Sequence, residues 1–251
     1  MTATGSAAIN YGGAGIGGGD NASSITINGG TVLAQAGHLN GTGAAGIGSV
    51  YGHKGNKTIT INGGTVTATG GSAGIGGGAY KSAGTIVINK GTVTATSAGN
   101  GAGIGGGGGA WAGDDMGIGG SITINGGTVT AQGGEYSAGI GGGGTDAQSG
   151  NKSGAQASGD ITITGGVVKA TGGKYAPGIG SGALGKITAD KVPLGENAGK
   201  MGEIVISGGS VDAVNGTDFL TESSNTERAA NSYKTLDDRG EATVDSGIGQ
   251  G

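Results

Sequence analysis

The chain contains no cysteine, two prolines, one Phe and one Trp. Without cysteine there is neither a disulfide scaffold nor a thiolate metal site, and the compartment is left open. No apolar run approaches the roughly 20 residues of a membrane-spanning helix, so membrane insertion is not expected. No basic excess exists either: the formal net charge is −4, which argues against nucleic acid as a partner. A helical apolar stripe, a nucleophile elbow and an H-E-x-x-H pair are likewise missing. What the chain does have is glycine, 68 residues in 251, but with no strict Gly-X-Y period and few prolines it does not fit collagen. The scarcity of rings suits a narrow core.

The glycines punctuate a repeat best seen in residues 59–78, ITINGGTVTATGGSAGIGGG. An I-x-I element recurs at Ile25–Ile27, Ile59–Ile61, Ile86–Ile88, Ile122–Ile124, Ile161–Ile163 and Ile204–Ile206. A polar residue and a glycine pair or near-pair follow, beginning at Asn28, Asn62, Asn89, Asn125, Thr164 and Ser207. A second alternation then sets Val32, Val66, Val93, Val129, Val168 and Val211 two residues before an alanine. The third element is Ala-Gly-Ile or a close variant, ending at Ile16, Ile47, Ile75, Ile104, Ile140, Ile179 and Ile248.

Spacing of two places Ile, Val and Ala on one side of an extended strand and Thr on the other. Three strands this short cannot bury a face alone, so each repeat is a unit that must stack on its neighbours. The pattern therefore predicts an all-β chain folded as a parallel β-helix (β-solenoid), three strands per coil and about six coils. At about 4.8 Å per coil the column is roughly 30 Å long. Residues 1–251 read as one solenoid domain with an irregular, charged insertion at 215–245, where residues 221–233 could form a helical turn packing Phe219 and Leu220 over the column end. Because Thr2–Gly5 resembles the end of a TVTATG strand and the chain stops as a new coil begins, we expect a block of a longer repeat protein.

A short polar side chain before Gly-Gly in a stacked turn is expected to bond its own or the next coil's backbone. Glycine at these corners supplies positive φ. The GIGGG runs leave backbone without side chains, and we expect them to form a bare face through which self-association could occur.

Connections leave from two corners and gather on one side of the column, where recognition usually resides. Tyr80, Trp111, Asp114 and Asp115 in one loop family could form an aromatic and carboxylate platform for sugar rings; alternatively, Trp111 covers the hydrophobic edge of the column. Tyr136 and Tyr175 belong to the second family and complete the candidate ligand-binding set. No catalytic residue stands out. Calcium could take hold at Asp114–Asp115 or Asp237–Asp238, but two adjacent carboxylates fall short of its about six to eight oxygens. His38 and His53 lie in different loop families, and no zinc site or other cofactor is expected. The outward positions are mostly Thr, interrupted by Lys169 and Asp212 in neighbouring coils.

The alternation of ITINGGTVTATGG with AGIGGG resembles the Gly-rich repeat regions of bacterial cell-surface proteins of Gram-positive, clostridial type. More loosely, it is similar to right-handed parallel β-helix carbohydrate-binding proteins. The resemblance implies a secreted, extracellular protein at the bacterial cell surface, a right-handed coil, and a non-catalytic role as an adhesin or stalk segment binding a glycan or cell-surface polymer. Two other classes remain: a polysaccharide lyase or hydrolase built on a β-helix, and an ice- or flat-surface-binding solenoid suggested by Thr65-Thr67-Thr69 and Thr92-Thr94-Thr96.

Overall fold

The computed structural model describes residues 1–6, 12–19, 24–39, 43–53, 58–109, 118–145, 157–183, 202–217 and 248–249. Every strand in it pairs in parallel with its counterpart one coil away, and the twenty strands make three sheets. The valine sheet comprises Thr2–Thr4, Thr31–Gln35, Thr65–Gly70, Thr92–Ser97, Thr128–Gln132, Val167–Thr171 and Ser210–Val214. The isoleucine sheet comprises Ile25–Ile27, Thr58–Ile61, Thr85–Ile88, Ser121–Ile124, Ile161–Ile163 and Ile204–Ile206. The glycine sheet comprises Ile16–Gly18, Ile47–Ser49, Ile75–Gly76, Ile104–Gly105, Ile140–Gly141, Ile179–Gly180 and Ile248–Gly249. This is the parallel β-helix with three strands per coil that the repeat predicts.

Register explains why so simple a sequence holds one fold. Ile86 lies beside Ile59, Val93 beside Val66, Ala95 beside Ala68 and Ile104 beside Ile75. A slip of one residue would turn the whole apolar set outward. Within one coil, Ile59, Ile61, Val66, Ala68, Ala73 and Ile75 are all wholly buried, forming the inward ladder expected from the alternation. Burying each isoleucine is worth about 1.5–3 kcal/mol, and the stacking repeats that gain at every level. Towards the two ends of the column the ladder is less enclosed: Ile16, Ile25, Ile204 and Val211 are only partly buried, and Ile206 is 40% exposed.

The corner between isoleucine and valine strands is three residues long in every coil. Its polar residue forms a side-chain ladder. Asn62 Nδ2 donates to Asn28 Oδ1 at 2.8 Å, Asn89 to Asn62 at 2.7 Å and Asn125 to Asn89 at 2.8 Å, while Thr164 Oγ1 donates to Asn125 Oδ1 at 3.0 Å. The structural role expected of these residues holds, but their partners are the next coil's side chains rather than its backbone. Only the last corner position needs positive φ: Gly64 is at +89° and Gly91 at +104°. That is why Lys90 can replace the first glycine of the pair.

The glycine sheet corrects one expectation. Gly48, Gly76, Gly105, Gly141 and Gly180 have φ between +131° and +144°. A Cβ on Gly76 would stand 2.1 Å from the Gly105 carbonyl oxygen. These glycines are required by the stacking itself. Gly76–Gly78, Gly105–Gly109 and Gly141–Gly144 are buried, so their backbone is not the bare face read from the glycine runs. The helical turn and the Phe219–Leu220 packing expected in the late insertion lie outside the described residues.

Candidate binding surface

The loops on either side of the glycine sheet are tied together across this narrow edge of the column. Within a coil, Ala73 N donates to Gly77 O at 3.2 Å and Ala102 N to Gly106 O at 2.9 Å, so the two-residue strand sits at the tip of a tight arch. Between coils, Gly78 N donates to Ser49 Oγ at 2.7 Å and Gly108 N to Ser72 Oγ at 3.1 Å; within a coil, Gly144 N donates to Ser137 Oγ at 2.8 Å. The hydrogen-bonding capacity of the glycine run is met internally, as buried backbone demands. Its outer side is left to the loop side chains.

Four tyrosines occupy that position, in two pairs, each half-buried. Tyr51 and Tyr80, from the loops after the glycine strand in consecutive coils, meet edge to face with centroids 5.3 Å apart and planes at 87°. Tyr80 has φ 66°, the sole non-glycine residue in that region among those described, and its N–H donates to Gly108 O at 3.1 Å. A Cβ on Gly109 would lie 2.4 Å from Tyr80 Cε1, so the ring rests directly on the next coil's backbone. Sparsely populated backbone of this kind is retained where the surroundings enforce it.

Tyr136 and Tyr175, from the loops before the glycine strand, stack with centroids 5.2 Å apart and planes 9° apart. Lys174 Nζ stands 4.8 Å from the Tyr175 ring centroid, within the range of a cation–π contact. Tyr175 N donates to Glu135 O at 3.1 Å, which fixes the register of the stacked pair. Each of these rings lays one face on the other.

Backbone connects the two pairs. Gly109 N donates to Gly144 O at 3.1 Å, and a Cβ on Gly144 would lie 2.4 Å from the Tyr136 Cβ. Both pairs therefore stand on the same flank. Glu135 and Lys174, both exposed, add one charge of each sign.

Of the candidate ligand-binding residues, Tyr136 and Tyr175 are brought together, and Tyr80 is paired with Tyr51. Trp111, Asp114 and Asp115 lie outside the described residues, as do Asp237 and Asp238. Tyr51, Glu135 and Lys174 were not singled out from the sequence, although Tyr51 shares a loop family with Tyr80 and Lys174 adjoins Tyr175. Among the described residues no group of three or more His, Cys, Asp or Glu lies together. One acidic neighbourhood unites coils: Glu203 N donates to Asp160 Oδ1 at 3.0 Å, a capping contact between exposed residues. Contrary to the reading that the nucleophile-elbow spacing is missing, Gly70–Gly74 carries G-x-S-x-G; Ser72 is nevertheless wholly buried and its hydroxyl accepts the Gly108 N–H, so it is structural. Lys169 stands directly opposite Asp212 on the outer valine sheet.

A sequence model described as the β-helix repeat matches residues 25–52, 59–79, 86–108, 122–144 and 161–183. No curated protein and no solved structure matches the chain. Each of the five matched segments begins on the isoleucine strand of its coil and ends beyond the glycine strand, in phase with the three parallel sheets. The matched segments and the three parallel sheets together support β-helix repeats over residues 25–183.

Proposed function

We propose that this chain is a non-catalytic segment of an extracellular bacterial cell-surface protein, a stiff stalk whose loop flank binds a glycan or another surface polymer. The observation that supports it is the grouping of Tyr51, Tyr80, Tyr136 and Tyr175, half-exposed and held by backbone contacts, on one flank of a rigid column. Half-exposed phenol rings flanked by the exposed Glu135 and Lys174 suit a polyhydroxylated ligand, which needs apolar contact and polar groups together. The rigid scaffold also limits the entropy lost on binding.

The test is an array of glycans and cell-wall polymers, probed with the protein and with Tyr136→Ala/Tyr175→Ala, with and without calcium. Saturable binding lost in the double variant supports the reading and locates the site. A blank array for the unaltered protein removes the binding role and leaves the stalk.

One observation favours a second reading, a flat-surface-binding solenoid. Thr92, Thr94 and Thr96 lie in register on Thr65, Thr67 and Thr69, with Thr128 and Thr130 beyond them. Leu33 and Gln35 on one side, and Gln132 and Lys169 on the other, interrupt the array. Absence of thermal hysteresis at high protein concentration would eliminate this reading.

A further inference from the structure

The asparagine ladder has a chemical consequence beyond stacking. Three of its members precede glycine, at Asn28-Gly29, Asn62-Gly63 and Asn125-Gly126. An Asn-Gly bond is open to cyclisation because glycine carries no Cβ to obstruct approach of its nitrogen. The glycine nitrogen attacks the asparagine Cγ, a C–N bond forms, and the side-chain amide leaves as ammonia. Water then opens the succinimide on either side, giving aspartate or isoaspartate.

In all three pairs the nucleophile is available. The Gly29, Gly63 and Gly126 N–H groups make no hydrogen bond among the described residues. Other Asn-Gly bonds differ: Gly101 N donates to Ser97 Oγ at 3.2 Å, and Gly216 N to Ala176 O at 3.0 Å.

The ladder members themselves differ in how firmly the electrophile is held. Asn62 is bonded through both side-chain atoms, donating to Asn28 and accepting from Asn89. Asn125 likewise donates to Asn89 and accepts from Thr164. Asn28 has one such bond, accepted from Asn62. Swinging Cγ onto the following nitrogen requires these bonds to break, so each one opposes cyclisation.

We propose that the ladder is a shield against deamidation, with the rate at each Asn-Gly bond set by the rungs its asparagine keeps, and with Asn28 the most readily modified of the three. The product explains what is protected. An aspartate at position 62 would set acceptor against acceptor at Asn28, and an isoaspartate would lengthen a three-residue corner that every coil shares. Either change disturbs the register of the column.

The experiment is peptide mapping by mass spectrometry with isoaspartate detection, after prolonged incubation of the folded protein at mildly alkaline pH. Modification at Asn28 is expected several-fold faster than at Asn62 or Asn125, and the three rates converge in urea-unfolded protein. Thr164→Val, which removes one exposed hydroxyl, raises the rate at Asn125 several-fold and leaves Asn62 unchanged. Asn89→Ala raises the rates at both Asn62 and Asn125. Circular dichroism establishes that each variant is folded; if Asn89→Ala is not, Thr164→Val decides. Equal rates at the three sites in folded protein, or no acceleration at Asn125 in folded Thr164→Val, would overturn the proposal.

Discussion

Two sides of the same coil obey opposite rules. The corner between isoleucine and valine strands has three residues in every coil, whereas the connection from the glycine strand to the next isoleucine strand grows from residues 19–24 to 181–203. On the constant side, the inward Ile, Val and Ala residues stack on copies of themselves, and the Asn ladder propagates over four coils. On the variable side, the loops carry unlike side chains, among them Tyr51 and Tyr80, with Tyr136 and Tyr175 on the connection that enters the glycine strand. Constancy marks the positions where coils must match, and variation marks those free to meet something else.

Substitutions should separate the two sides. The largest effect is expected for Ile104→Ala, which opens a cavity at a wholly buried position and costs about 2–5 kcal/mol, measured by urea unfolding. Gly76→Ala follows, at about 1–3 kcal/mol, because φ is +132° and the next coil's carbonyl occupies the position of the new methyl. Asn89→Ala removes two ladder bonds from a part-buried rung and should cost about 1 kcal/mol in the same assay. Smallest on stability is Tyr80→Gly, where loss of ring contacts is offset by relief of positive φ, leaving a net change of about 1 kcal/mol or less. This variant should instead weaken ligand capture. If Tyr80→Gly destabilised the column as much as Ile104→Ala, the division between the two sides would fail.

The constant side was legible in the sequence for the reason that makes it constant. Alternation at Ile59–Ile61 and Val66–Ala68 specifies which faces turn inward, and recurrence specifies what stacks on what. The partner of Asn62 was less legible, since turn chemistry points to backbone whereas a neighbouring identical side chain lies closer to hand. The glycine runs misled because a missing side chain reads as exposed backbone; whether loops fold over Gly76–Gly78 depends on contacts between coils. On the variable side, Tyr136 and Tyr175 were legible as members of one loop family, but the stacking of their rings was not. Tyr51 went unmarked because it follows Ile47 by four residues whereas Tyr80 follows Ile75 by five, in loops of different sequence.

A column of constant rise is also a ruler. Groups mounted on its loop flank can be spaced along the axis only in whole steps of about 4.8 Å. A polymer with its own repeat would meet these graduations as one scale against another, coinciding at some marks and missing others. Adapting to a different period then requires no remodelling of the scaffold: a tyrosine lost from one coil and gained on the next moves the mark by one division.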